Sequence, residues 1–261
     1  MIGIARYLAL AAVLAAAHPA HAAIEEAYRP GEAAVTTTWF ALRSEAAQKV
    51  DRDYVAGMRP HHAGALSMSR EYLADPRRGS PLLQALARAI IVNQQFEIGV
   101  LDAVGRNLDA DPIRLPFGVV LQPVATEGLP QTQHFLKVPM PSAVVYPVGP
   151  VNERDVLFAK AMTVHHEAAV EMARGYDRNP AARNGFLGLL NVDIVTDQTQ
   201  EIALMRRVIG AYPGNPDLVR VDSSMIQGME HMSHGAMPPA AAAEQVTPPA
   251  AMPEGHGHSH H

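Results

Sequence analysis

The most regular feature of the chain is a stripe of apolar and metal-ligating side chains that occurs twice. In the first copy the stripe residues follow one another at intervals of four, three, four, three and four: Tyr54, Met58, His61, Ala65, Met68 and Tyr72. Because an α-helix turns about 100° per residue, these intervals place all six side chains on one helical face. The pattern returns 104 positions later as Phe158, Met162, His165, Ala169, Met172 and Tyr176. The sequence therefore predicts a duplicated amphipathic helix whose inward face carries thioethers and imidazoles.

The duplication extends beyond this helix at the same offset. Each copy is interpreted as a helical hairpin, with a first helix near residues 51–74 and a second near residues 81–108 in the first copy. An amphipathic hairpin must cover its apolar face against another element. The predicted fold class is therefore all-α: a four-helix bundle made of two pseudo-repeated hairpins.

These elements divide the chain into five parts. They are a signal peptide at 1–22, an N-terminal extension with the first hairpin at 23–108, a Pro-rich crossover at 109–152, the second hairpin at 153–212 and a tail at 213–261. The crossover is expected to run as a long extended segment over the bundle. The tail is rich in Met, His, Pro and Ala and is expected to be disordered, because it cannot bury enough apolar surface. Residues 35–40 fit an extended segment and a helix start equally well.

The first residues have the organisation of a secretory signal. Arg6 supplies a positive charge, residues 8–17 form an apolar run, and Ala20-His21-Ala22 offers a cleavage site between small residues. The apolar run is too short to span a bilayer. We therefore expect export to the periplasm as a soluble protein, with no membrane insertion after the signal is removed.

Composition narrows the classes of partner. The net charge of −5 offers no basic surface for nucleic acid, whereas the hydrophobic content of 48% is enough for a sizeable core. The chain contains no Cys, so zinc-thiolate and iron-sulfur centres are excluded. A metal site in this protein must therefore use His, Met or carboxylate ligands.

The second helix of each copy places polar side chains among apolar ones. Gln94 and Glu97 share a face with Leu and Ile residues, and the second copy repeats them as Gln198 and Glu201. A buried carboxylate needs a cation, a histidine or a metal to offset the cost of its desolvation. We predict that each acid holds the stripe histidine of the facing helix and leaves the other ring nitrogen free for a metal.

Thioethers and imidazoles together suit soft ions, with Cu(I) favoured and Cu(II) or Ag(I) as alternatives. The predicted ligands are Met58, His61, His62, Met68, Met162, His165, His166 and Met172, supported by Gln94, Glu97, Gln198 and Glu201. His62 and His166 are the weaker candidates, because they lie about 80° from the stripe centre, at its edge or on the surface. A purely structural interpretation is also open, in which the histidines and acids satisfy each other and the methionines fill the core.

The tail offers further soft donors that are expected to capture ions. They are Met225, Met229, His231, Met232, His234, Met237, His256, His258, His260 and His261.

A di-iron enzyme is the catalytic function that a four-helix bundle suggests, but it requires Glu-x-x-His motifs on two helices. Neither hairpin contains that motif, so we expect a protein that is not an enzyme.

The motif Met-x-x-His-His-x-x-Ala-x-x-Met, followed by Gln-x-x-Glu-Ile, resembles a family first catalogued as a domain of unknown function, which includes CopM-like copper-tolerance proteins of the bacterial envelope. The motif begins at Met58 and again at Met162. The resemblance implies a ferritin-like fold, export, and binding of copper or silver through Met and His. Departures from the family pattern are Val164, where Pro is common, and Gly64, where Ala would suit a helix better.

The expected function is that of a periplasmic copper-binding protein that sequesters or carries the ion and contributes to metal tolerance. Its expected partners are metal ions and another periplasmic copper-handling protein. The alternative is a structural or interaction module of the envelope that holds no metal in the bundle.

Overall fold

The computed structural model describes residues 37–127 and 137–229. Within these residues the chain forms four α-helices: α1 Glu45–Ala74, α2 Pro81–Leu108, α3 Glu153–Arg178 and α4 Gly185–Gly210. Helix α1 packs against α2, and α3 packs against α4; the two hairpins meet through α1 with α3 and through α2 with α4. The predicted bundle of two hairpins is therefore confirmed. The predicted signal peptide at 1–22 and the tail beyond residue 229 lie outside the described residues.

Local sequence signals determine where the helices begin. Ser80 caps α2 by accepting a hydrogen bond from the Leu83 amide at 3.3 Å, and Pro81 occupies the first turn. Helix α3 begins with a capping box, in which Asn152 and Asp155 each accept a bond from the other's backbone amide. The starts of α2 and α3 are thus encoded within a few residues of sequence.

The helical pattern does not predict a small antiparallel sheet that the structure contains. Its strands are β1 Thr37–Leu42, β2 Ile113–Arg114 and β3 Val120–Glu127, in the order β1-β3-β2. The all-α description is therefore incomplete, and the crossover at 109–152 is more than an extended loop. Thr37 pairs with Glu127, a contact so distant in sequence that it leaves no local periodicity. The ambiguous segment at 35–40 is extended from Thr37 onward.

The sheet is attached to one end of the bundle. The buried side-chain amide of Gln122 in β3 donates to the carbonyls of Leu108 and Ala110, at 3.4 and 2.9 Å. The carboxyl end of α2 leaves such carbonyls without helical partners, so Gln122 acts as a cap from a distant strand. In β1, Trp39 packs edge-on against Phe186 at the start of α4, with ring centroids 5.7 Å apart. The sheet consequently contacts both hairpins.

Two equivalent hydrogen bonds connect the halves. The Tyr72 hydroxyl donates to Asp155 at 2.6 Å, and the Tyr176 hydroxyl donates to Asp51 at 2.6 Å. The tyrosines and the acids each recur at the offset of 104 residues, so the two bonds are related by an approximate twofold axis. The sequence repeat is therefore also a repeat in space.

A further pair shows how the halves diverged together. The Tyr54 hydroxyl of the first hairpin donates to Asn191 of the second, whereas the equivalent positions across the repeat hold Phe158 and Ala87. Both polar partners are absent from that equivalent contact, so no hydroxyl or amide is left there without its partner. Such paired replacement is expected because a buried unpaired polar group costs about 1–3 kcal/mol.

Candidate metal centre

The middle of the bundle contains a layer of buried polar side chains, which we call the histidine layer. Its members occupy equivalent positions in the two hairpins: His61 and His62 of α1, His165 and His166 of α3, Gln94 and Glu97 of α2, and Gln198 and Glu201 of α4. The histidines are 0% exposed, and the amides and acids are 2% exposed. Consecutive helical residues point about 100° apart. The first histidine of each pair therefore faces the other hairpin, and the second faces its own.

His61 and His165 meet between the hairpins. Their ring centroids are 3.7 Å apart and their planes are inclined by 32°. The Nε2–H of His165 donates to the main-chain carbonyl of His61 at 3.0 Å. A carbonyl can only accept, so Nε2 of His165 carries the proton and Nδ1 keeps a free lone pair. The axis between the halves thus holds an imidazole nitrogen that is available to a metal.

The acids bind the second histidine of each pair. Nε2 of His62 lies 2.8 Å from a Glu97 carboxylate oxygen, and Nε2 of His166 lies 2.6 Å from a Glu201 oxygen. The prediction that the acids hold the stripe histidines is therefore wrong, as is the placement of His62 and His166 at the stripe edge or on the surface. A helix in this bundle contacts two neighbours, so a residue about 80° from the stripe centre is covered by the other helix of its own hairpin.

Many polar atoms of the histidine layer have no hydrogen-bond partner among the described residues. They are Nδ1 of the four histidines, Nε2 of His61, and both polar side-chain atoms of Gln94 and Gln198. Buried polar atoms in folded proteins are usually paired, because an unpaired one costs about 1–3 kcal/mol. The layer can therefore satisfy a polar or cationic guest with groups that the described parts of the protein leave unused.

The sequence model of the family described as Domain of unknown function (DUF305) matches residues 12–104 and 155–254. The chain belongs to this family. The first matched segment contains His61 and His62, and the second contains His165 and His166, so the protein is a DUF305 tandem. No curated protein and no solved structure matches the chain. The ferritin-like and CopM-like character implied by the motif stays a prediction.

The two halves of this DUF305 tandem differ in charge. Nζ of Lys137 lies 3.3 Å from Glu97 and 2.7 Å from Asp197. Burial raises the pKa of Glu97, but the bonds to His62 and Lys137 outweigh burial and leave that pKa below its usual value. Burial, together with the nearby Glu97 and Asp197 carboxylates, raises the pKa of Glu201 well above its usual value. Glu97 is therefore ionised at neutral pH, whereas the shift of the Glu201 pKa favours its protonated form.

The imidazoles are held in the form that ligates metals. Burial, together with the neighbouring histidines, lowers the pKa of His61 and His165 well below the usual value. Burial and the nearby His62 lower the pKa of His166 to about 3. Protonation removes the lone pair that a metal requires, whereas these three rings are neutral near pH 7.

The stripe methionines of the DUF305 tandem are divided between two apolar clusters. Met68 and Met162 belong to one cluster, whereas Met58 belongs to the other, against which Met172 packs. Along α1, the histidine pair lies between Met58 and Met68. The thioethers therefore contribute to apolar packing, and their role as metal ligands stays a prediction.

No group of three or more His, Asp or Glu side chains converges as a metal site in residues 37–127 and 137–229. The imidazoles are arranged instead as one tilted ring pair, His61 with His165, and two His–Glu pairs. A hard divalent ion needs several oxygen ligands, whereas a soft ion binds imidazole and thioether donors. The donor set therefore fits a soft ion better than Ca²⁺ or Mg²⁺.

Sequence reasoning missed Lys137, which neutralises one acid of the layer. The weak signal available was that it is the only lysine in the crossover at 109–152.

Of the predicted tail donors, Met225 and Met229 are described, and Met225 is 40% exposed. The other tail donors, from His231 onward, lie outside the described residues. A separate finding is that none of the described helices is long and apolar enough to cross a membrane.

Proposed function

We propose that this DUF305 tandem is a periplasmic copper-binding protein that sequesters or carries the ion and contributes to metal tolerance. Cu(I) is the favoured ion, with Cu(II) and Ag(I) as alternatives. The observation that carries the proposal is the set of buried imidazole nitrogens without hydrogen-bond partners in the described residues. The protein acts as a carrier or store and not as an enzyme, and it passes the ion to another periplasmic copper-handling protein.

The environment of each histidine supports this proposal. Ionised Glu97 accepts the Nε2–H of His62 at 2.8 Å, and Nδ1 of that ring has no hydrogen-bond partner among the described residues. A carboxylate behind an imidazole fixes its tautomer and makes it a better ligand. The His61 carbonyl fixes the tautomer of His165 in the same way. Two buried ring nitrogens from different hairpins, Nδ1 of His62 and Nδ1 of His165, are thereby held in fixed orientations without a partner among the described residues.

The test is Cu(I) titration of the full mature chain under anaerobic conditions, in competition with a chromogenic chelator. The double variant His61→Ala/His165→Ala should lose the tightest bound ion, because it removes the imidazoles that meet between the hairpins. The matched control replaces four tail histidines, His256, His258, His260 and His261, by Ala and should keep that ion. If the tail variant loses the tightest ion and the double variant keeps it, the bundle is not the site.

The second candidate function is a structural or interaction module of the envelope. It is favoured by the two His–Glu pairs, which satisfy one another without a metal. A ligand that binds only the folded protein must raise its unfolding temperature. An unchanged midpoint of the tail variant in the presence of Cu(I), Ag(I) or Zn(II) would favour this second function.

A further inference from the structure

The last described segment, residues 213–229, crosses the outside of the bundle, and we call it the strap. Its first part is firmly attached. Nζ of Lys160 on α3 donates to the carbonyls of Pro216 and Val219, each at 2.9 Å. Val219 is 4% exposed and belongs to an apolar cluster of the bundle. The strap therefore remains bound to the bundle at this point even when residues 222–229 detach.

The second part of the strap, residues 222–229, lies directly on α1 beside His61. A Cβ atom at Gly64 would be 2.2 Å from the Gln227 carbonyl oxygen. Gly228 has a φ of +81°, and a Cβ atom there would be 2.7 Å from the Pro60 carbonyl oxygen. Two backbones approach so closely that only glycine fits on both sides of the contact. This requirement explains why α1 contains a glycine where the helix would favour Ala.

The contact exists in one half of the repeat only. The equivalents of Pro60 and Gly64 at the offset of 104 residues are Val164 and Ala168. Val164 is 42% exposed, so its side chain remains largely open to solvent. The repeat has therefore diverged at the place where the strap lies, and the glycine belongs to the strap contact and not to the bundle itself.

The strap also reaches the histidine layer. The imidazole of His165 makes its hydrogen bond to the His61 carbonyl. Burial keeps the pKa of that ring low, although the Gln227 backbone lies close enough to raise it. The remaining contacts of this part are modest: Ile226 is only partly buried against the core, and the Gln227 side chain donates to exposed Glu71 at 2.7 Å. A segment with few buried contacts opens at low free-energy cost, whereas the part anchored by Val219 does not.

We propose that residues 222–229 form a lid over the histidine layer, which undocks from Gly64 to admit an ion and docks again to retain it. The proposal rests on the proposed function, since it describes how an ion reaches His61 and His165. Beyond the lid the sequence continues at once with donor residues, beginning with His231 and Met232.

The test uses the full chain with Gly64→Ala, whose new methyl group cannot coexist with the docked lid. Gly228→Ala is a second variant that leaves α1 untouched. The matched control is Gly175→Ala in α3, where nothing lies within 4 Å of the added atom. Alanine has a higher helix propensity than glycine at both helical positions. A change in the readouts that occurs in Gly64→Ala and not in Gly175→Ala therefore comes from the lid contact and not from helix propensity.

Three readouts are expected to agree. Amide hydrogen exchange of residues 222–229 should become about tenfold faster in both lid variants and stay unchanged at residues 213–219. Diethyl pyrocarbonate should modify His61 and His165 faster, as mapped by mass spectrometry. The rate of Ag(I) uptake should rise about tenfold with unchanged stoichiometry, because the open population grows by that factor. The Gly175→Ala protein should match the parent in all three.

The outcomes separate the lid from the metal function. Faster exchange and faster histidine modification without any Ag(I) binding in the parent would leave the lid standing and overturn the proposed function. Faster exchange with unchanged histidine modification and unchanged Ag(I) uptake would show that the strap does not close the layer. Unchanged exchange in both lid variants would show that the glycine contact does not hold the strap.

Discussion

The unequal charge of the two acids in the histidine layer gives a sharp comparison. Glu97 and Glu201 occupy equivalent positions, and both bind a histidine. Glu97 also contacts Lys137, and its carboxyl is ionised, whereas burial favours the protonated form of Glu201. Replacement by Gln preserves shape and removes only the ability to ionise. The two variants Glu97→Gln and Glu201→Gln should therefore differ in stability although the sequence repeat makes them equivalent.

The size of the difference follows from the hydrogen bonds. In Glu97→Gln a charged acceptor is lost, and a bond to a charged group contributes about 1.5–3 kcal/mol. Lys137 keeps Asp197 at 2.7 Å, so the ammonium is not left without a counter-ion. In Glu201→Gln a neutral acid is exchanged for a neutral amide, which changes the free energy of unfolding by about 1 kcal/mol or less. For a domain of this size, the corresponding fall in Tm is roughly 3–12 °C for Glu97→Gln and under about 4 °C for Glu201→Gln.

The assay is thermal and urea unfolding of the metal-free protein at neutral pH. Infrared difference spectra supply an independent check, since the band of a protonated carboxyl should vanish in Glu201→Gln and persist in Glu97→Gln. Because the folded-state pKa of Glu201 is raised, its contribution to the stability of the parent is present at low pH and is lost as the pH rises through that pKa. Glu201→Gln should lack this loss. Equal destabilisation by both substitutions, with no carboxyl band, would refute the assigned protonation states.

Three other predictions concern the metal-free protein. The ordinary pKa values of Glu and His are about 4.3 and 6.5. Between these pH values His61, His165 and His166 are protonated in the unfolded chain and neutral in the folded chain, whereas Glu201 is protonated only in the folded chain. The unfolded chain therefore binds about two more protons than the folded chain. Stability should therefore decrease by up to about 2.7 kcal/mol per unit as the pH falls through this window; a flat profile in urea unfolding would contradict the buried neutral imidazoles. Tyr72→Phe should cost about 1.5–3 kcal/mol, because its hydroxyl donates to an acid, and Tyr54→Phe only about 1 kcal/mol, because Asn191 is uncharged; chemical denaturation measures both, and a reversed order would count against this account. Gln122→Ala should accelerate hydrogen exchange in β3 while α3 keeps its protection, because the amide joins the sheet to α2; protection lost equally in both elements would mean that the sheet and the bundle unfold as one unit.

The ion-binding experiments test what occupies the histidine layer, whereas the stability measurements test the metal-free protein. The buried ring nitrogens and the Gln94 and Gln198 amides are features of the folded chain, whereas their occupant is the subject of the proposal. Loss of the tightest ion on removal of His61 and His165 would connect the two. The lid variants then test how the ion enters, by changing a backbone contact and leaving every imidazole in place.

The sequence alone determined the duplicated hairpin, the helix starts at Ser80 and Pro81, and the inward direction of the Met and His stripe. These features depend on the angle between residues along one helix and on bonds within a few positions, which the order of residues fixes directly. It also indicated that a buried acid needs a partner, since desolvation is costly wherever the acid lies.

Only the tertiary structure decided which histidine that partner is. A helix in a bundle touches two neighbours, so the stripe histidines His61 and His165 met each other, and His62 and His166 took the acids. The pairing of β1 with β3, the placement of Lys137 between Glu97 and Asp197, and the backbone contact at Gly64 follow the same rule. Each joins segments that are far apart in the chain, and contacts of that kind depend on how the elements pack and not on any local pattern.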